Sequence, residues 1–152
     1  KEELHDKYGI ATSLNNIGII NFNNGDYDKA LDNFTRSLEI DMEIGVGDSV
    51  LLETNVYLFL TYKLLDKEYD IKEIHRLIKE IENIEFEINY RLYQLLEDTS
   101  YLKIAYNQIQ EKSEDLETDI KAKFLTYPIP KAIVEEWEKI DSAESPFSLQ
   151  KT

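Results

Sequence analysis

All three prolines of this chain lie at or beyond residue 128, so the first 127 residues contain no proline to break a helix. Only five glycines occur, and they are too few to supply the turns of a β-rich fold. The remaining constraint is apolar periodicity. Hydrophobic residues make up 42% of the 152, enough to fill a core and too many for a disordered chain. The expected class is all-α.

The apolar residues recur at helical spacing in successive stretches. Residues 11–24 carry Ala11, Leu14, Ile17, Gly18 and Ile20 to Phe22. Gly25-Asp26 supplies a turn and an N-cap before a second helix over 26–44, with Ala30, Leu31, Phe34, Leu38 and Ile40. Gly45 to Gly47 ends it, and Asp48-Ser49 can cap a third helix over 49–65. The middle of that helix, Val56 to Leu60, is apolar nearly all round and predicts burial on several sides. Further helices are expected over 69–84, over 86–97, and from Thr99 or Ser100 onward. The last of these should break near residues 112–115 and resume through Ile120, Phe124 and Leu125. Pro128 and Pro130 break the chain again, and Pro130 suits the first turn of a closing helix over 131–140. Residues 141–152 read as a tail.

Helix, short turn and helix recur about three times, and the sequence repeats with them. Tyr27-Asp28 returns as Tyr69-Asp70, and Asp6 as Asp48, both 42 residues later. At that offset Leu14 falls on Val56 and Ile17 on Phe59. Leu31 and Phe34 match Ile71 and Ile74 at 40. Helix pairs repeating near 40 residues predict an α-solenoid.

Within residues 11–44 the pattern becomes specific. Leu14, Ile17-Gly18, Ala30, Phe34 and Ser37 stand in the order and spacing that resemble the tetratricopeptide repeat. Gly18 and Ala30 are small enough for two helices to approach closely, and Phe34 can fill the gap towards the next. The long period resembles the extended variant of kinesin light chain-like repeats and of large prokaryotic signalling proteins. The resemblance implies an α-α superhelix of antiparallel helix pairs with a C-terminal capping helix. Residues 1–10 would close a preceding repeat, 11–44 form unit 1, 45–84 unit 2 and 85–127 a degenerate unit 3. Residues 128–140 would cap the array, with Trp137 sealing its end, and 141–152 trail as a tail. Lys1 to His5 read as the end of a helix already in progress, so the chain is expected to be a piece of a longer protein.

In this family the first helix of each pair lines the concave face. The resemblance therefore assigns Thr12, Asn15, Asn16, Ile19, Phe22 and Asn23 to a peptide- or partner-binding surface. Exposed asparagine amides both donate to and accept from an extended peptide backbone. The plainer reading is that Asn15 and Asn16 only solvate the helix. The implied function is a protein–protein interaction scaffold. The alternative is a structural or regulatory arm of a larger multidomain signalling protein, associated with an ATPase, cyclase or kinase and without a peptide ligand of its own. Phe124-Leu125, Pro128, Pro130, Ile133 and Trp137 resemble the closing part of arrays in such regulators.

Charge narrows the partner. The formal net charge is −14, from 31 acids against 17 bases. Such a surface disfavours nucleic acid and anionic membranes and permits a neutral or basic protein or peptide. No lysine or arginine occurs between residues 8 and 28, so a lysine clamp for carboxylate tails is not expected. Self-association is possible where a truncated array bares an apolar end.

No enzymatic chemistry is expected. Cysteine is absent, which rules out disulfides and thiolate zinc and fits a reducing cytoplasm. Neither metal nor cofactor is expected. The two histidines, His5 and His75, have acids nearby but form no ligand constellation, and His75 is expected to be partly buried. Glu80, Glu82, Glu85 and Glu87 crowd together, as 31 acids make inevitable, with no pocket to shift a pKa. The apolar stretch Thr54 to Tyr62 is too short to span a bilayer. Most of the ten tyrosines fall beside Leu and Ile at helical spacing, which predicts core packing.

Overall fold

The computed structural model describes residues 2–144, and these contain helices and no strand. The chain divides into two compact units, 1–84 and 85–152.

The first unit holds α1 (Glu2–Asn23), α2 (Tyr27–Ile44), α3 (Asp48–Leu64) and α4 (Lys72–Glu80), each packed on the next. The stretch expected to end an earlier helix runs unbroken into the helix expected at 11–24, giving the 22-residue α1. Two glycines close α1 and α2. Gly25 at φ +83° lets Asp26 N–H reach back to the Asn21 carbonyl (2.8 Å), and Gly45 at φ +72° lets Val46 N–H reach Asp41 O (3.1 Å). Both satisfy helix-end carbonyls in a left-handed turn that side chains resist. Asp26 holds the N-cap position of α2 but makes no cap bond with its side chain, and α3 is preceded by Gly47 rather than capped by Asp48 or Ser49.

The α1–α2 contact is as close as two backbones with side chains allow. A Cβ on Gly18 would stand 2.6 Å from Phe34 Cε1. Ala30 and Phe34 are fully buried, and the Ser37 hydroxyl donates to the Ala11 carbonyl at 2.8 Å. Near the other end of the pair the Asn21 amide donates to Asn33 Oδ1, also at 2.8 Å. Phe34 lies stacked on Tyr57 of α3 with 5.6 Å between centroids, and Phe22 meets the same ring edge-on at the same distance. Phe34 thus fills the gap to the third helix, and the middle of α3 is buried as its all-round apolarity predicts.

Ile17 departs from expectation: it is 48% exposed, and Ile20 is exposed beside it. At about 100° per residue, Ile17 points well away from the line through Ala11, Gly18 and Phe22. The helix expected over 69–84 is also shorter. Asp70 accepts from the Lys72 backbone N–H at 2.9 Å and starts α4 late, and Ile81 turns extended at its end. Further helix would have placed Glu82 and Glu85 at the negative end of the helix dipole.

The second unit holds α5 (Phe86–Leu96), α6 (Thr99–Glu114), α7 (Thr118–Phe124) and α8 (Pro128–Glu144). Asp98 caps α6, its carboxylate accepting from the Ser100 N–H at 2.9 Å and the Ser100 hydroxyl at 2.7 Å. These bonds hold its pKa below the ordinary value. Leu102, Ala105, Ile109 and Ile133 form the core, with Phe86, Tyr106, Phe124 and Trp137 packed against it. Trp137 lies 5.8 Å from the Tyr106 ring. α8 begins at Pro128, earlier than the expected 131, because a first turn needs no backbone N–H from Pro128 or Pro130. It continues to Glu144, into the expected tail; residues 145–152 lie outside the described residues. Among the described residues no helix is long and apolar enough to cross a membrane.

Candidate functional site

The six residues assigned by sequence lie on α1 but do not share one environment. Thr12, Asn16 and Asn23 are exposed and Ile19 is half-buried. Their steps of four, three and four place them on one side of the helix as a single row. Phe22 turns inward, 7% exposed, edge-on to Tyr27 and Tyr57, and serves the core rather than a ligand. Asn15 also turns inward, 9% exposed, and so does not solvate the helix.

Asn15 stands at the border between the core and the open row. Its Nδ2 donates to Oε1 of Glu53 on α3 at 3.1 Å, while its Oδ1 is buried with no hydrogen-bond partner. A buried acceptor left unpaired carries a free-energy cost of about 1–3 kcal/mol. Glu53 is absent from the sequence-assigned set. It lies 38 residues from Asn15, and only the packing of α3 on α1 brings the two together.

Other ionisable groups are accounted for by packing. Asp41 is buried between α2 and α3, and desolvation raises its pKa against the opposing hydrogen bond from Thr54 (3.2 Å). Tyr93 donates to Glu136 at 2.9 Å, and burial, followed by that bond, pushes the phenol up to about 12. A phenol so raised stays protonated at neutral pH and is poorly suited to act as a general base. His5 and His75 are both exposed, so His75 is not partly buried as expected; α4 turns Ile74 and Leu77 to the core, and His75 follows Ile74 onto the opposite side. Glu80, Glu82 and Glu85 are exposed. Among the described residues no group of three His, Asp or Glu is placed to hold a metal ion.

The family model of the tetratricopeptide repeat matches residues 11–41, which cover the second half of α1 and most of α2. Comparison with curated proteins and with solved structures finds no match.

Proposed function

We propose that this chain, which carries a tetratricopeptide repeat in residues 11–41 within an all-α fold, binds an extended peptide or a partner segment along the open row of α1. Tetratricopeptide repeats are generally interaction modules rather than catalysts. The observation that carries the finer reading is the row itself. On a helix packed on one side by α2 and Glu53's helix, Thr12, Asn16 and Asn23 present polar side chains around the half-buried Ile19. Amides at this spacing can pair with the N–H and C=O groups of an extended backbone, and Ile19 offers an apolar contact between them. Asn16 is the central residue. Glu53 at the border and the net charge of −14 favour a neutral or basic segment.

Panning a displayed random-peptide library against the protein tests this. Selected peptides should lose about tenfold or more in affinity to Asn16→Ala. They should bind less tightly as salt is added, and Met42→Ala on α2 should leave them unaffected. Peptides that bind Asn16→Arg as well as the parent, prefer acidic sequences, or tighten with salt would refute it.

A further inference from the structure

We infer that Asn15 and Glu53 form a seat for a cation with several N–H donors, the side chain of a lysine or arginine in the bound segment. The inference rests on the groove reading above and deepens it. The Asn15 amide is fixed in orientation, because only its Nδ2 can donate to the Glu53 carboxylate. That bond leaves Oδ1 without a donor. Covalent geometry keeps Oδ1 on the same amide carbon as Nδ2, so a neutral acceptor lies beside a carboxylate. The two differ in what they ask of a ligand: the carboxylate supplies charge, and the amide oxygen asks for a hydrogen. An ammonium or guanidinium answers both at once, since each carries more than one N–H.

The surroundings suit such an occupant. No lysine or arginine lies between residues 8 and 28, so α1 brings no cation of its own to Asn15. Lys7, the last one before that stretch, is engaged by Glu43 at 2.7 Å and by Glu3. The seat adjoins the open row one turn from Asn16 and Thr12, within reach of a side chain from a segment lying there. Entry requires the half-buried Glu53 side chain to turn outward, which a glutamate does by rotation about its own bonds. A methylammonium without N–H would satisfy the charge and not the amide, which separates this seat from a diffuse acidic surface.

The Asn15 side-chain amide pair in an ¹⁵N-correlated NMR spectrum reads the seat directly, and Asn15→Leu assigns it. n-Butylammonium and n-butylguanidinium chloride should move these resonances saturably at constant ionic strength. Tetramethylammonium chloride should not, and Glu53→Gln, checked for unchanged circular dichroism, should abolish the response. In a peptide selected by panning, lysine or arginine replaced by norleucine should cost about tenfold in the parent and little in Glu53→Gln. Absence of a saturable shift, an equal shift with tetramethylammonium, or a full response in Glu53→Gln overturns the seat. Peptides bound through Asn16 with no shift at Asn15 remove the seat and keep the groove. A shift at Asn15 in a protein that selects no peptide removes the groove and leaves a bare cation site, which overturns the role assigned here.

Discussion

Gly9 and Gly18 lie in the same helix, and the same substitution in each should have opposite effects. Replacing glycine by alanine inside a helix stabilises it by about 1 kcal/mol, since the chain loses less freedom on folding. Around Gly9 nothing stands within 4 Å of an added Cβ, so Gly9→Ala should realise that gain. At Gly18 the added carbon would lie 2.6, 2.8 and 3.1 Å from Phe34 Cε1, Cδ1 and Cζ. Carbon atoms settle at about 3.5–4.0 Å, so the ring must withdraw by about 1 Å. It has little room, being fully buried and stacked on Tyr57. Overpacking of this kind costs about 1–3 kcal/mol. Gly18→Ala should therefore end between neutral and about 2 kcal/mol less stable than the parent. The propensity gain is common to both variants, so the gap between them isolates the clash at about 1–3 kcal/mol. Urea titration followed by far-UV circular dichroism measures it. Shortening the obstructing ring in Gly18→Ala/Phe34→Leu should make the two substitutions non-additive, with the double variant more stable than the sum predicts. Equal midpoints for Gly9→Ala and Gly18→Ala would refute the argument that α1 and α2 meet at a contact reserved for a residue without a side chain.

Two further substitutions test the packing. Asp41 is 3% exposed and sits in the last turn of α2, where the helix dipole also opposes negative charge. Its folded pKa is raised, so its contribution is most favourable below the unfolded carboxylate value and is lost as pH rises through the folded one. Asp41→Asn keeps an acceptor for Thr54 and should stabilise the protein by roughly 1 kcal/mol at neutral pH. The advantage should shrink as pH falls towards the ordinary carboxylate range, and a constant advantage across pH would contradict the assignment. Glu97 closes α5 at φ +54°, a left-handed conformation costing a non-glycine residue about 1 kcal/mol, so Glu97→Gly should raise the urea midpoint.

The α1–α2 pair was legible because its signals are local. Gly25 and Gly45 sit where the chain must turn left-handed, and Gly18, Ala30, Phe34 and Ser37 encode one contact through size. The open row on α1 followed from helical spacing, but its limits did not. Phe22 and Asn15 are one notch round the helix from that row, and whether α3 covers them depends on a partner helix whose position the α1 sequence does not contain. Glu53 escaped notice for the same reason. Aliphatic character also misled: Ile17 and Ile20 look like core residues by type and are exposed by phase. The ends of α4 and α8 were set by a side-chain bond from Asp70 and by the tolerance of a first turn for proline.

The hydrogen bonds from Ser37 to Ala11 and from Asn21 to Asn33 act as two rungs across the α1–α2 pair, one towards each end. A helical hairpin held by apolar contacts alone could slide by a turn and repack; one with two rungs has a single register. Between the rungs, α1 and α2 must keep their lengths, and the connecting turn at 24–26 is too tight to absorb slack. Residues inserted between Ala11 and Asn21 would therefore break a rung instead of shifting the helix. Residues inserted before Ala11 would disturb neither. Tolerance to length change in this repeat is thus directional, with the variable end lying ahead of Ala11.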